Sequence, residues 1–187
     1  MKKLVFPVLM ILTFMACQKS QVNPASQITI PDGASFKLQM ATDSIGYNYP
    51  SNDTANVLVH FNHTYHLDYS FYNGEDIGAN EFQFDAGWYF TALSHDGGQL
   101  VTDGVPYKPG VAIPLFITSG ASTTHEQHFI LQAFDQTNIP ANMHIWVKDN
   151  QLKDSADIRS QPFRFYIHRL DTNSYGGNRL QIVVEPY

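Results

Sequence analysis

The 187-residue chain reads as an all-β protein: an antiparallel immunoglobulin-like β-sandwich with a C-terminal β-hairpin extension. Three observations predict this. Aromatics are abundant, at 13 Phe, 10 Tyr and 2 Trp, and together with Val, Ile and Thr they fit a pleated, half-buried surface. Twelve Gly and ten Pro punctuate short runs at intervals of roughly 8–12 residues, the rhythm of sandwich strands and their turns. Outside the first sixteen residues, no stretch of helical length carries a 3.6-residue apolar period.

The elements follow in chain order. Lys2 and Lys3 precede an apolar run, Leu4 to Phe14, too short to span a bilayer as a stable anchor. Residues 1–16 are therefore expected to be a signal segment. Phe14-Met15-Ala16-Cys17 resembles the lipobox of bacterial lipoproteins, in which the cysteine is lipidated and becomes the new N-terminus. Cys17 is the chain's one cysteine and has no intramolecular disulfide partner. Residues 17–34, polar and carrying Pro24, Pro31 and Gly33, read as a flexible tether with a short strand at Gln27–Ile30. Residues 35–187 are expected to form one β-sandwich domain.

Within it, Phe36, Leu38 and Met40 alternate with Lys37 and Gln39, a strand by period. A polar loop runs from Thr42 to Asn56. Strands follow at Val57–Phe61 and Tyr65–Tyr72, the latter ended by Asn73-Gly74. Trp88–Leu93 is an aromatic strand closed by the turn His95-Asp96-Gly97-Gly98. Gln99–Val101 and Val105–Tyr107 read as two short strands joined by a turn at Asp103-Gly104. In the apolar run Val111–Thr118, Pro114 demands an edge or a bulge. His128–Phe134 and Met143–Val147 are strands, and Lys148–Ser160 reads as a helical turn or mobile loop. Phe163–Leu170 and Leu180–Glu185 read as the terminal hairpin, joined through Gly176-Gly177.

Loss of residues 1–16 leaves 171 residues, enough for one buried core. It also removes Lys2 and Lys3, taking the formal charge from −6 to −8. So acidic a chain, with its basic residues scattered, excludes nucleic acid as a partner, since phosphate backbones need clustered Lys and Arg. Lipid on Cys17 is then the expected membrane attachment, and two or three acyl chains hold firmly where one does not. The residues after the cysteine, Gln18-Lys19-Ser20-Gln21-Val22, hold no acid. An acidic cluster there accompanies export to the cell surface in some Gram-negative groups, so the expected location is the outer membrane facing the periplasm.

Candidate chemistry is sparse. His60, His63 and His66 fall at spacing three, as do His125 and His128, and imidazoles with a carboxylate can hold zinc. On a continuous strand His63 faces away from the other two, and only a turn at Asn62-His63-Thr64 would bring them together. No metal site is therefore assigned. Ser94-His95-Asp96 contains the residue types of a hydrolytic triad, but adjacency in a turn prevents the face-to-face geometry a triad needs. Asp149, Asp154 and Asp157 match no calcium loop. Asp43, Asp68, Glu81 and Asp85 are scattered without the pairing that glycoside hydrolysis uses. Tyr47, Tyr49, Tyr72, Trp88, Tyr89 and Tyr107 could stack on sugars, although core packing accounts for most such rings. No catalytic residue and no cofactor is expected.

The run Gly98-Gln99-Leu100, Asp103-Gly104, Tyr107-Lys108-Pro109, Pro114–Ser119, Thr123-Thr124 and Phe129–Gln136 resembles the TraQ-type lipoproteins of conjugative transposons in Bacteroidetes. Tyr65–Gly74 sits where that family has a comparable aromatic strand and turn. The resemblance spans Phe36 to Asn138, rests on strand order and turn positions, and leaves the tail from Met143 to Tyr187 uncovered. It implies a lipoprotein with an immunoglobulin-like domain and no catalytic residues. The function expected is that of a non-enzymatic, lipid-anchored structural or interaction component of the envelope, with a protein partner, serving conjugative transfer. The rival readings are a carbohydrate-binding or adhesive module and an envelope hydrolase.

Overall fold

A computed structural model of the chain describes residues 29–43, 54–70, 74–79, 88–108, 110–119 and 126–187. Cys17 and the signal segment lie outside these residues, as do Tyr47, Tyr49, Tyr72, Asn73, Glu81, Asp85 and His125. The described chain is all-β. Its strands are β1 (Ser35–Thr42), β2 (Thr54–Phe61), β3 (Ile77–Gly78), β4 (Trp88–Leu93), β5 (Gln99–Val105), β6 (Ala112–Ser119), β7 (Gln127–Thr137), β8 (Met143–Asp149), β9 (Asp154–Asp157), β10 (Phe163–Ile167) and β11 (Gly176–Pro186). They form one sheet in the order β10-β7-β1-β2-β5-β4-β6-β11-β8-β9, with β3 pairing β5.

Period-two alternation makes the core. Phe36, Leu38 and Met40 of β1, Val57, Val59 and Phe61 of β2, and Met143, Ile145 and Val147 of β8 are buried, while their neighbours face out. The sheet curls until its ends nearly meet. Ala133 of β7 donates its N–H to Ile158 O (3.2 Å), and Ile158 N–H donates to Ile145 O of β8 (2.9 Å). One residue thus stitches the two ends of the sheet together. Rings fill the space inside: Trp88 of β4 meets Phe129 of β7 at 5.5 Å, and Phe129 stacks on Phe165 of β10 at 5.6 Å.

The sheet is mixed, not purely antiparallel, because β2 and β5 run parallel. Alternation encodes which face is buried and says nothing of strand direction, so this pairing leaves no local trace. The terminal hairpin is also corrected. β10 pairs β7, whereas β11 lies between β6 and β8, so the last two strands are not hydrogen-bonded partners. Their apolar faces are buried as expected, but in separate parts of the sheet.

Three further segments differ. Lys148–Ser160 is a hairpin: Asp149 Oδ1 accepts from the Gln151 and Leu152 N–H groups, Lys153 takes φ 56°, and β9 returns along β8. Gln99–Tyr107 holds one strand through Val105, with Asp103-Gly104 inside it. Residues 65–70 form no strand: carboxylate side chains take the N–H groups of His66, Tyr69 and Ser70, and the Tyr65 N–H closes a turn on Asn62 O. The tether also ends early. Ile30 and Ala34 are buried, and Gly33 N–H donates to Phe61 O, so the packed chain begins before Phe36. Pro114 fits its expected setting, since the β4 pairing stops at Ala92↔Leu115 and leaves Pro114 without a partner strand on that side.

Candidate functional site

β5 changes neighbours partway along its length. Leu100 and Gln99 pair with Ala92 and Leu93 of β4, and residues 102–105 pair with Leu58–Phe61 of β2. The segment 74–79 lies against this corner, with Ile77 opposite Thr102. A Cβ on Gly104 would sit 2.6 Å from Glu75 O, so glycine is required for this close approach. Gly104 N–H donates to Asp76 Oδ1 (2.9 Å), and Ser70 N–H donates to Asp76 Oδ2 (2.7 Å). Glu75 Oε1 accepts from His66 N–H, and His60 Nε2 lies 2.7 Å from Glu75 O. Tyr69 N–H donates to Asp96 Oδ1 (3.1 Å). Three carboxylates thus hold residues 66–70 as an irregular arm across the corner.

Asp103 differs from the other two acids of this corner. In register it lies beside Val59, and Val105 lies beside Phe61, on the face that turns to the core. It is 6% exposed and accepts no hydrogen bond from the other described residues. Burial, reinforced by Asp76 and Glu75, pushes its carboxyl up to about 7. Burial likewise raises Asp76, partly offset by its two backbone donors. Beside Asp103 opens a cleft of about 430 Å³ with apolar walls from Leu67, Leu93, Val105, Val111, Ile113 and Pro114. It lies where the β4–β6 ladder ends and β5 turns away. Lys108 and His95 stand at its exposed rim, and no ion pair joins Lys108 to Asp103.

The candidates read from sequence are dispersed. The turn at Asn62-His63-Thr64 exists, with Thr64 N–H donating to Asn62 Oδ1, but it does not gather the histidines: His63 turns to Asp32, while His60 and His66 meet different atoms of Glu75. His63 Nδ1 meets Asp32 Oδ2, His66 Nδ1 faces Glu75 Oε2 (3.3 Å), and His60 packs its ring on Tyr65. Among the described residues no three His, Cys, Asp or Glu side chains group so as to hold a metal ion. In Ser94-His95-Asp96 the serine hydroxyl donates to Asp96 (2.6 Å), which lowers that acid, while His95 Nδ1 turns to Asp68 (3.6 Å). Asp149 binds Arg179, Asp157 binds His144 and the Ile145 and Arg159 N–H groups, and Asp154 caps Ser155. Asp43 pairs with Arg164. Trp88 is buried in the core; Tyr89 and Tyr107 are half-buried.

Sequence reasoning missed Glu75, Asp76 and Asp103. One signal was present: Asp103 sits within Val101-Thr102-Asp103-Gly104-Val105, a β-branched run that continues straight through an Asp-Gly usually read as a turn.

Two other surfaces stand out. His144 and Trp146, on the outer face of β8, meet at 4.8 Å with their rings tilted by 40°, and the Tyr187 ring meets His144 at 3.8 Å. Near Arg179 a second cleft of about 430 Å³ is lined by Asn150, Gln151, Asn173, Tyr175 and Asn178, and Gln151 Oε1 there has no hydrogen-bond partner. In comparisons with protein families, curated proteins and solved structures, the chain matches none of them.

Proposed function

We propose that this chain is a non-enzymatic, lipid-anchored envelope protein whose curled sheet is an immunoglobulin-like β-sandwich. It acts as a structural or protein-interaction component of conjugative transfer machinery, as the likeness to TraQ-type lipoproteins implies. The anchor is lipid on Cys17, in the outer membrane and facing the periplasm. Thirteen residue steps lead from Cys17 to Ile30, so even fully extended they place the folded body at most about 45 Å from the lipid. That reach suits a module that works on envelope neighbours.

The observation that carries the interaction reading is the outward ring ridge of His144, Trp146 and Tyr187. Tyr187 is 75% exposed, and the ridge lies outside the core that holds the sheet together. Aromatic rings on a rigid strand are effective docking anchors, because they offer large area at little entropic cost. Pairing at a sheet edge is the weaker alternative, since Ile158 already closes part of the seam.

The test places a photo-crosslinking amino acid at Trp146 or Tyr187 in living cells, with Lys37 as an off-site control. A discrete protein adduct from the ridge positions, lost with Cys17→Ser, is expected. Fatty-acid labelling should mark the wild type and not Cys17→Ser. Equal labelling of both overturns the anchor, and absence of any ridge adduct overturns the docking role. The amide-lined cleft at Asn150 and Asn178 favours a second reading, carbohydrate binding, since amides and one tyrosine ring suit sugar hydroxyls. Glycan binding lost with Asn178→Ala would select it.

A further inference from the structure

We propose that the cleft at the β5 corner is a binding site for a small primary amine on an apolar stem, whose ammonium group pairs with Asp103. Asp103 is 6% exposed, and its carboxylate accepts no hydrogen bond from a described residue, so it is an acceptor open to an occupant of the cleft. Such groups are costly to keep without a partner. Asp103 lines the cleft, so an occupant can reach it without rearrangement of the core. Apart from Asp103, and from Lys108 and His95 at the rim, the side chains that line the cleft are apolar, which matches a hydrocarbon stem.

The sign of the occupant follows from the charges that face Asp103. Glu75 and Asp76, on the segment packed against β5, add negative potential at its carboxyl. His60 on β2 and His66 on the arm are engaged with Glu75. Lys108 and His95 stand at the exposed rim. An anion would meet Asp103 in the cleft, with the negative potential of Glu75 and Asp76 added to it, and an alcohol would gain no charge. A cation pairs with Asp103 and gains from the field of the two acids near it. The inference is independent of the anchor and of the ring ridge, which lie elsewhere on the chain.

The test uses the full chain carrying Cys17→Ser, with methyl groups labelled for NMR. Hexylamine, hexanol and hexanoate are titrated while the methyls of Leu67, Leu93, Val105, Val111 and Ile113 are followed. At about pH 8, hexylammonium is expected to shift these methyls with at least about tenfold greater affinity than hexanol. At about pH 5, where Asp103 is protonated, the advantage should largely disappear. Asp103→Asn should abolish it at both pH values. A lysine-containing peptide that shifts the same methyls more tightly than hexylamine would assign the amine to a partner protein and uphold the site. Equal binding of hexylamine and hexanol, a preference for hexanoate, or no methyl shift with any probe overturns the proposal. The wild-type pH dependence decides the matter even if Asp103→Asn does not fold.

Discussion

Asp103 and Gly104 form one dipeptide with opposite consequences. Gly104 lets the backbone of Glu75 approach, and the two acids so placed add to the burial that chiefly raises the Asp103 carboxyl to about 7. The effect on stability has a definite sign. An aspartate raised in the fold binds its proton more tightly there than in the unfolded chain, where 3.8 applies. The protein therefore loses stability as pH rises from about 4 to about 7, and the loss is complete above that window. At 1.36 kcal/mol per unit, the cost is about 4 kcal/mol. Asp76 acts in the same direction, while Asp32, lowered chiefly by the His63 N–H, and Asp96, lowered by Ser94, act weakly in the other. Melting midpoints across this range should fall for the wild type. Asp103→Asn should flatten the curve and melt higher than the wild type at about pH 8. A variant whose midpoint falls as steeply as the wild type would sink the assignment.

Between elements, the strongest polar tie is Arg179. Its Nε and Nη2 donate to Asp149 Oδ2 (3.1 and 3.0 Å), its Nη1 donates to Tyr166 O and Ser174 O, and its guanidinium lies over Phe165 (5.2 Å). One side chain thus joins β11 to β8, to β10 and to the turn between β10 and β11. Arg179→Leu would leave Asp149 buried without its cation, and urea unfolding should show a loss of roughly 3–5 kcal/mol. Adding Asp149→Leu should cost less than the sum of the two single changes. An Arg179→Leu chain as stable as the wild type would show the pair to be dispensable. This tie is invisible in sequence, because Arg179 and Asp149 are thirty residues apart and nothing local marks either as buried. What the sequence could reveal was the period of each strand. Trp88–Leu93 is found at those bounds, and Phe36–Met40, Val57–Phe61 and Met143–Val147 all fall within longer strands. Tyr65–Ser70 alternates just as well, yet Glu75, Asp76 and Asp96 capture its backbone from outside the segment. Periodicity reports a preference, and a distant carboxylate can override it. The cleft was illegible for the same reason, since its walls come from β4, β5, β6 and the irregular arm.

At the scale of the whole molecule, β11 decides whether there is one folding unit. It pairs with β6 on one side and β8 on the other, and it is the only described strand to join those two. Remove it, and among the described residues β8 and β9 keep their backbone connection to the rest of the sheet only through Ile158, apart from the chain itself. Residues 161–187 also bury Phe163, Phe165, Ile167, Leu180, Ile182, Val183 and Val184. At roughly 1.5–3 kcal/mol each, these seven side chains are worth about 10–20 kcal/mol. A domain's whole net stability is about 5–15 kcal/mol. The tail is therefore structural framework, and deleting 161–187 should abolish cooperative unfolding altogether. Ile182→Ala is the gentler probe. It is fully buried on a strand paired on both sides, and its loss should cost about 2–5 kcal/mol while leaving a single transition. Thermal unfolding followed by circular dichroism distinguishes the outcomes. If the truncated chain melts cooperatively at the wild-type midpoint, β10 and β11 are an appendage and the sheet up to Ser160 is self-sufficient. If Ile182→Ala splits the melt into two steps, β8 and β9 with β11 are a separate unit. The stitch at Ile158 would then be a contact between two bodies and not the seam of one.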